Sequence, residues 1–172
     1  MLTQQEARPP LAGTSPRPLV ICVDDAAQDE AVTEAVLQLA AAGRISATSA
    51  MVQAPGWPAQ ARSLAAESRI DLGLHLNFTQ PFPEASAWPL SQVMRRAWLR
   101  GFARDWLEAQ IDAQIEAFAN HAGRLPDHID GHQHVHQFPQ IREALLARMA
   151  HWWHGAARRP WLRCTLPAPG AA

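Results

Sequence analysis

The stretch DHIDGHQHVHQFP, from Asp127 to Pro139, holds the densest set of chemically capable side chains in this protein. His128, Asp130, His132, His134 and His136 stand at every second position. Extended backbone sends alternate side chains to one face. The spacing therefore predicts a strand that presents four imidazoles and a carboxylate to the same side. Such a face makes a poor core and suits metal ligation or proton transfer. The run is internal, is interrupted by Ile129, Gly131 and Val135, and precedes a helical pattern, so it does not read as a tag or a solvated loop.

Two other stretches offer matching groups. LVICV, from Leu19 to Val23, is a continuous apolar run of the kind that forms a strand buried on both faces of a parallel sheet. It stops at Asp24-Asp25, two acids whose side chains diverge in extended backbone. DLGLHLNF, from Asp71 to Phe78, reads as another strand with His75 near its end. The carboxyl ends of parallel strands are where α/β folds gather catalytic groups. Two histidines and one carboxylate from such ends make a divalent-metal site with positions left for water and substrate. A metal acidifies a bound water and polarises a carbonyl. A second carboxylate can take the proton, and a remaining histidine can protonate a leaving amine or steady an oxyanion. This is the chemistry of an amide or ester hydrolase. No G-x-S-x-G elbow and no phosphate-cradling Gly-rich loop is present, which argues against a serine hydrolase and a nucleotide-dependent enzyme. All 15 basic residues are Arg, so a lysine Schiff base is excluded.

These strand ends need elements to position them. A helix is predicted from Asp29, with Ala31, Val32, Ala35, Val36, Leu39 and Ala40 at helical spacing and Gly43 as terminator. Ile45 to Val52 reads as a second strand, in which Ser46, Thr48 and Ser49 are read as strand packing, with substrate contact as the alternative. Pro55 and Pro58 break the chain before a helix over 57–68. The Pro-rich segment 80–90 is predicted to be a rim loop, where Phe82 and Trp88 either stack on a sugar or are plain surface aromatics. Helices are predicted over 91–100, 105–122 and 139–153, and a final strand over 161–166. Strands alternating with helices imply a parallel α/β sheet or barrel.

The 172 residues suffice for one domain with a core, are 48% hydrophobic, and carry a net charge of −1. No basic run marks a nucleic-acid partner. No segment has the length of a membrane span, and the N-terminus lacks the apolar core of a signal peptide. Residues 1–17 are expected to be a disordered lead-in, 18–166 the domain, and 167–172 a disordered tail, in a cytoplasmic protein. Cys22 and Cys164 each sit in an apolar run, which predicts buried reduced thiols.

VDDAAQDEAVTEAVLQLAAAGRISATSAMV, LGLHLNF and HIDGHQHVHQFPQIREAL together resemble, in order and spacing, the YdjC-like carbohydrate deacetylases, over about residues 18 to 166. The resemblance implies a TIM-barrel-like (β/α) fold of the glycoside hydrolase/deacetylase type. It implies removal of acetyl groups from N-acetylated sugars, of the chito-oligosaccharide or glycolipid kind. It assigns Asp25, His75 and His132 to a divalent metal, Mg2+ by the family pattern with Zn2+ as the alternative. Asp24 becomes the general base. His128, Asp130, His134 and His136 are left around the metal or facing substrate. Two departures stand out. Ala26-Ala27 replaces the family's Phe-Gly, which predicts a reshaped loop. Family members also run well past residue 166, so the barrel is expected to be incomplete at the C-terminus, with exposed strand edges that favour a homo-oligomer. A non-catalytic metal- or sugar-binding remnant, and a related amide or ester hydrolase, are the competing expectations.

Overall fold

The structure, a computed structural model, describes residues 19–83 and 85–165. The expected lead-in at 1–17 and tail at 167–172 lie outside the described residues. Among the described residues, five parallel strands form one sheet in sequence order, each pairing with the next. They are β1 (Cys22–Ala26), β2 (Ala47–Ala50), β3 (Asp71–Leu76), β4 (His128–Gly131) and β5 (Trp161–Leu162). A strictly sequential parallel order is that of a (β/α) barrel wall, whereas a doubly wound sheet reverses its order at a switch point. The expected α/β class therefore holds. All strands run in one direction, so their carboxyl ends line one rim.

The strands divide their faces by period two. Val23, Ala50, Leu72, Leu74, Leu76 and Ile129 join the aliphatic core under the helices. The opposite face carries Cys22, Asp24, Ser49, Gly73, His75, His128, Asp130 and Trp161, which meet one another through hydrogen bonds and ring contacts. Each fully buried Leu on the helix side contributes roughly 1.5–3 kcal/mol. That stabilisation holds a polar face that could not hold itself.

Among the described residues, the α-helices are α1 (Glu30–Ala41), α2 (Trp57–Ala66), α3 (Leu90–Trp98), α4 (Arg104–Ala122) and α5 (Pro139–Trp152). Asp29 caps α1, its carboxylate accepting from the Ala31 N–H at 2.8 Å. Gly123 ends α4 in the left-handed region at φ 73°. Trp57 is fully buried, lies on Phe118 at 5.3 Å, and donates to the Ala117 carbonyl. Between β3 and α4, Trp88 packs on Trp106 and Phe102 at 5.0 and 5.6 Å, with the Arg96 guanidinium over its ring. Trp88 thus belongs to a local core, which corrects the reading of it as a sugar platform. No helix among the described residues is long and apolar enough to cross a membrane.

Three predicted elements differ. The first strand begins at Cys22 and runs on through both acids to Ala26, while Leu19, Val20 and Ile21 precede it with exposed side chains, Ile21 already bonded through its backbone to Ser46 and Ala47. The histidine run is a strand only as far as Gly131; His132 to Gln137 form a 3-10 segment kinked at Gln133 and His134, both with positive φ. Period two therefore fails after Asp130. Cys164 is exposed rather than buried.

Candidate metal centre

Asp24 and Asp25 come to the same face by a backbone device. Val23 pairs with Thr48 and Ala26 with Ala50, so β1 carries one extra residue across that step. Asp25 adopts φ 64° within this bulge. A bulge re-aims side chains and is common beside functional sites. In regular extended backbone the two acids would face opposite ways; here both reach the polar face, which corrects the expectation that they diverge.

Asp25, His75 and His132 converge. Asp25 Oδ1 lies 3.2 Å from His75 Nε2 and 3.0 Å from His132 Nδ1. Their ligand atoms all fall within 4.8 Å of one another. The rings of His75 and His132 are 5.6 Å apart and nearly perpendicular. His75, on a central strand, is 3% exposed, while His132 and Asp25 sit closer to solvent. Hydrogen bonds from His132 and His75 hold the Asp25 carboxyl well below the usual carboxylate range.

The far nitrogen of His75 is fixed as well. His75 Nδ1 lies 2.7 Å from Asp130 Oδ1, and Ser49 Oγ is 3.0 Å from the same nitrogen and 3.1 Å from Asp130 Oδ2. Burial disfavours the His75 imidazolium, but the bonds to Asp130 and Asp25 outweigh it and push the group up to about 9. Burial would likewise raise Asp130, yet its bond to His75 holds it below the ordinary range. A carboxylate that orients one imidazole nitrogen while the other faces a cation position is the arrangement ligating histidines use. The donor set of two imidazoles and one carboxylate, with this orientation already in place, fits a divalent ion.

Asp24 is held from the other side. Arg163 Nη1 donates to Asp24 Oδ1 and Oδ2 at 2.7 and 2.8 Å, and to Asp130 Oδ2 at 3.0 Å. One guanidinium thus ties the two carboxylates together. His136, buried, lies with Nε2 3.0 Å from the Arg163 carbonyl. Burial keeps its pKa below the ordinary imidazole value, so it donates as a neutral ring. Gly131 makes room for it, since a Cβ there would lie 2.8 Å from His136 Nδ1. His134 is exposed on the kinked segment. His128 is fully buried in the layer behind the centre, stacked on Trp161.

Sequence reasoning missed Arg163 and Ser49. Both lay in predicted strands, and period two puts Arg163 on the face of Trp161 and Ser49 on that of Ala47. An arginine near a strand end, however, reads as a surface residue, and a strand serine as packing. The loop after β1 also departs from expectation in detail. Ala27 takes φ 68°, the left-handed region that a glycine would occupy freely. Its N–H donates to Thr33 Oγ1 at 2.9 Å, and Thr33 in turn donates to Gln60. The Ala26 carbonyl accepts from the Met51 N–H at 2.8 Å. These bonds hold the strained loop in place.

A cavity of about 510 Å³ is lined by Gln53, Pro55, Pro83, Gln114 and His121 among others, and by none of the converging ligands. Its size marks a groove beside the site; the chemistry lies with the carboxylates and imidazoles.

Comparison with known proteins identifies the family. A carbohydrate deacetylase of Danio rerio is 30% identical over 138 residues, 73% of this chain and 44% of that protein. A chitooligosaccharide deacetylase of Proteus mirabilis (strain HI4320) is 28% identical over 131 residues, 72% of this chain and 51% of that protein. The chain thus spans about half the length of these relatives. A proposed cellobiose-phosphate cleavage protein from Enterococcus faecalis V583, known from a crystal structure, shares the fold with a TM-score of 0.67 at 24% identity, over 87% of this chain and 59% of that one. The family described as YdjC-like protein matches residues 18–170. With its three motifs meeting at one sheet rim and a family match over nearly its whole length, this chain belongs to the YdjC-like protein family.

Proposed function

We propose that this chain carries the catalytic machinery of a metal-dependent deacetylase acting on N-acetylated sugars. The observation that carries the reading is the convergence of Asp25, His75 and His132, with Asp24 held beside them by Arg163. Similarity to the carbohydrate deacetylase of Danio rerio and the chitooligosaccharide deacetylase of Proteus mirabilis supports the substrate class. Asp25, His75 and His132 would hold the cation, with Mg2+ favoured by family pattern and Zn2+ compatible with the same donors. When bound, such an ion polarises a carbonyl and acidifies a water.

The remaining work falls to the chain's own groups. Asp130 and Ser49 fix His75 by its Nδ1, so that Nε2 faces Asp25. Asp24 takes a proton from the attacking water. A carboxylate offers about four lone-pair sites, and the two bonds from Arg163 leave others open. His134, exposed on the kinked segment two residues after His132, is the group assigned to deliver a proton to the leaving amine. A cytoplasmic setting belongs to this reading.

The test is acetate release from N-acetylglucosamine oligomers after stripping with EDTA and after adding back Mg2+ or Zn2+. Release is expected only with metal, and Asp24→Asn is expected to abolish it while metal binding persists. Undiminished turnover in Asp24→Asn would remove Asp24 from the base role. Metal binding without acetate release from any acetylated sugar would leave a binding module in place of an enzyme.

A further inference from the structure

Behind the candidate metal centre, one layer deeper in the polar face, lies a second constellation, of which the proposed reaction uses Asp130 but neither Cys22 nor His128. Cys22, His128 and Asp130 offer ligand atoms all within 4.8 Å of one another. Cys22 Sγ is 3.8 Å from His128 Nε2. In a tetrahedral zinc-type site, bonds of about 2.0–2.3 Å place donor atoms roughly 3.3–3.7 Å apart. The sulfur and the imidazole nitrogen already stand close to that separation.

His128 is clamped in this pose. Its ring is fully buried and stacked on Trp161 at 4.0 Å and 7°. On the neighbouring strand, Gly73 leaves the space the ring fills; a Cβ there would lie 2.3 Å from Nε2. The ring's other nitrogen, Nδ1, is buried and has no hydrogen-bond partner among the described residues. A buried imidazole whose hydrogen-bonding contact among the described residues is a thiol at 3.8 Å is poorly satisfied, and a ligand at Nε2 supplies what the thiol does not. Burial also holds this imidazole below its ordinary pKa, so it is neutral and able to ligate.

We propose that Cys22, His128 and Asp130 form a second cation site, selective for thiophilic divalent ions such as zinc, cobalt or cadmium over magnesium. Thiolate and imidazole donors are what set that preference. Binding releases the Cys22 thiol proton to solvent and forms a sulfur–metal bond, so one positive charge leaves as a proton while two arrive with the ion. The Arg163 guanidinium, 3.0 Å from Asp130 Oδ2, opposes an added cation. The new thiolate offsets that repulsion, which a hard ion without affinity for sulfur cannot arrange. Without metal the thiol stays protonated, since burial, with Asp130 and Asp24 adding, pushes it up to about 12.

The site shares Asp130 with the outer centre. An ion that draws on this carboxylate loosens its 2.7 Å bond to His75 Nδ1, so excess thiophilic metal inhibits. That consequence rests on the deacetylase reading; the binding site does not. The test uses Co2+ titration of the full chain carrying Cys164→Ser, which removes the other thiol. A thiolate-to-cobalt charge-transfer band is expected. It should vanish, with loss of one bound equivalent, when Cys22→Ser is added, and should persist when His132→Ala is added instead. Absence of the band in the Cys164→Ser protein, or its survival after Cys22→Ser, overturns the second site. If His132→Ala leaves the total bound cobalt unchanged, the outer centre fails while the inner one stands. Far-ultraviolet circular dichroism of each variant confirms that the fold is kept.

Discussion

Gly73→Ala tests whether the packing behind the candidate site is as tight as the geometry requires. In an unobstructed strand, Ala in place of Gly stabilises by roughly 0.5–1 kcal/mol, because Gly has more backbone freedom to lose. Here the new Cβ would stand 2.3, 2.4 and 2.5 Å from Nε2, Cε1 and Cδ2 of His128. Carbon atoms in contact rest about 3.5–4.0 Å apart, so the ring must move by more than 1 Å. It has no retreat: Trp161 stacks on its other face at 4.0 Å and the ring is fully buried. Overpacking of this kind typically costs about 1–3 kcal/mol, which exceeds the entropic gain and reverses the sign. For a chain of this size the expected fall in Tm is roughly 2–4 °C per kcal/mol. Gly101→Ala is the control, since a Cβ there meets Arg96 only at an ordinary 3.6 Å. Urea unfolding and calorimetry read both. A Gly73→Ala protein as stable as the parent would refute the clamp on His128 and weaken the second-site proposal with it.

Four further outcomes are expected. Arg163→Met should lower acetate release on the order of 100-fold by freeing Asp24 from its position, while isothermal titration shows the metal still bound; undiminished turnover would remove Arg163 from a positioning role. Asp130→Asn should weaken Mg2+ binding at the outer centre by roughly 10–100-fold without removing one of that centre's ligands, and unchanged affinity would show that the bond to His75 Nδ1 does not matter. Metal binding at pH 7 should release a proton. His75, raised to about 9, is protonated below that value and must deprotonate to ligate. Apparent affinity should therefore climb with pH up to about 9, and a calorimetric heat that does not vary with the buffer's ionisation enthalpy would count against this. Ala27→Gly should stabilise by up to about 1 kcal/mol, since relief of a left-handed alanine, worth about 1–2 kcal/mol, outweighs glycine's extra unfolded freedom, about 0.4–1 kcal/mol; a clear loss in urea unfolding would mean that the loop is not strained.

Much of the scaffold was readable because local patterns dictate it. Leu72, Leu74 and Leu76 alternate with Asp71, Gly73 and His75, so one face of β3 had to be core and the other polar. Asp29 before an apolar-periodic run announced the start of α1. The histidine run was legible only in part. Its alternation held while the backbone stayed extended, which placed His128 and Asp130 on one face. Gly131 and the positive φ of Gln133 and His134 then turned the chain, and His132, His134 and His136 parted company.

The sequence by itself settled which residues had chemistry to offer and that strand ends would gather them, because composition and period depend only on neighbours along the chain. It did not contain the pairings. That Asp25 meets His75 and His132, and that Arg163 joins Asp24 to Asp130 across 139 and 33 positions, follow from strand register and the β1 bulge. So does the fit of His128 between Gly73 and Trp161. These contacts span separations that no local pattern encodes. They exist only once the aliphatic face has been buried and the five strands have been fixed side by side.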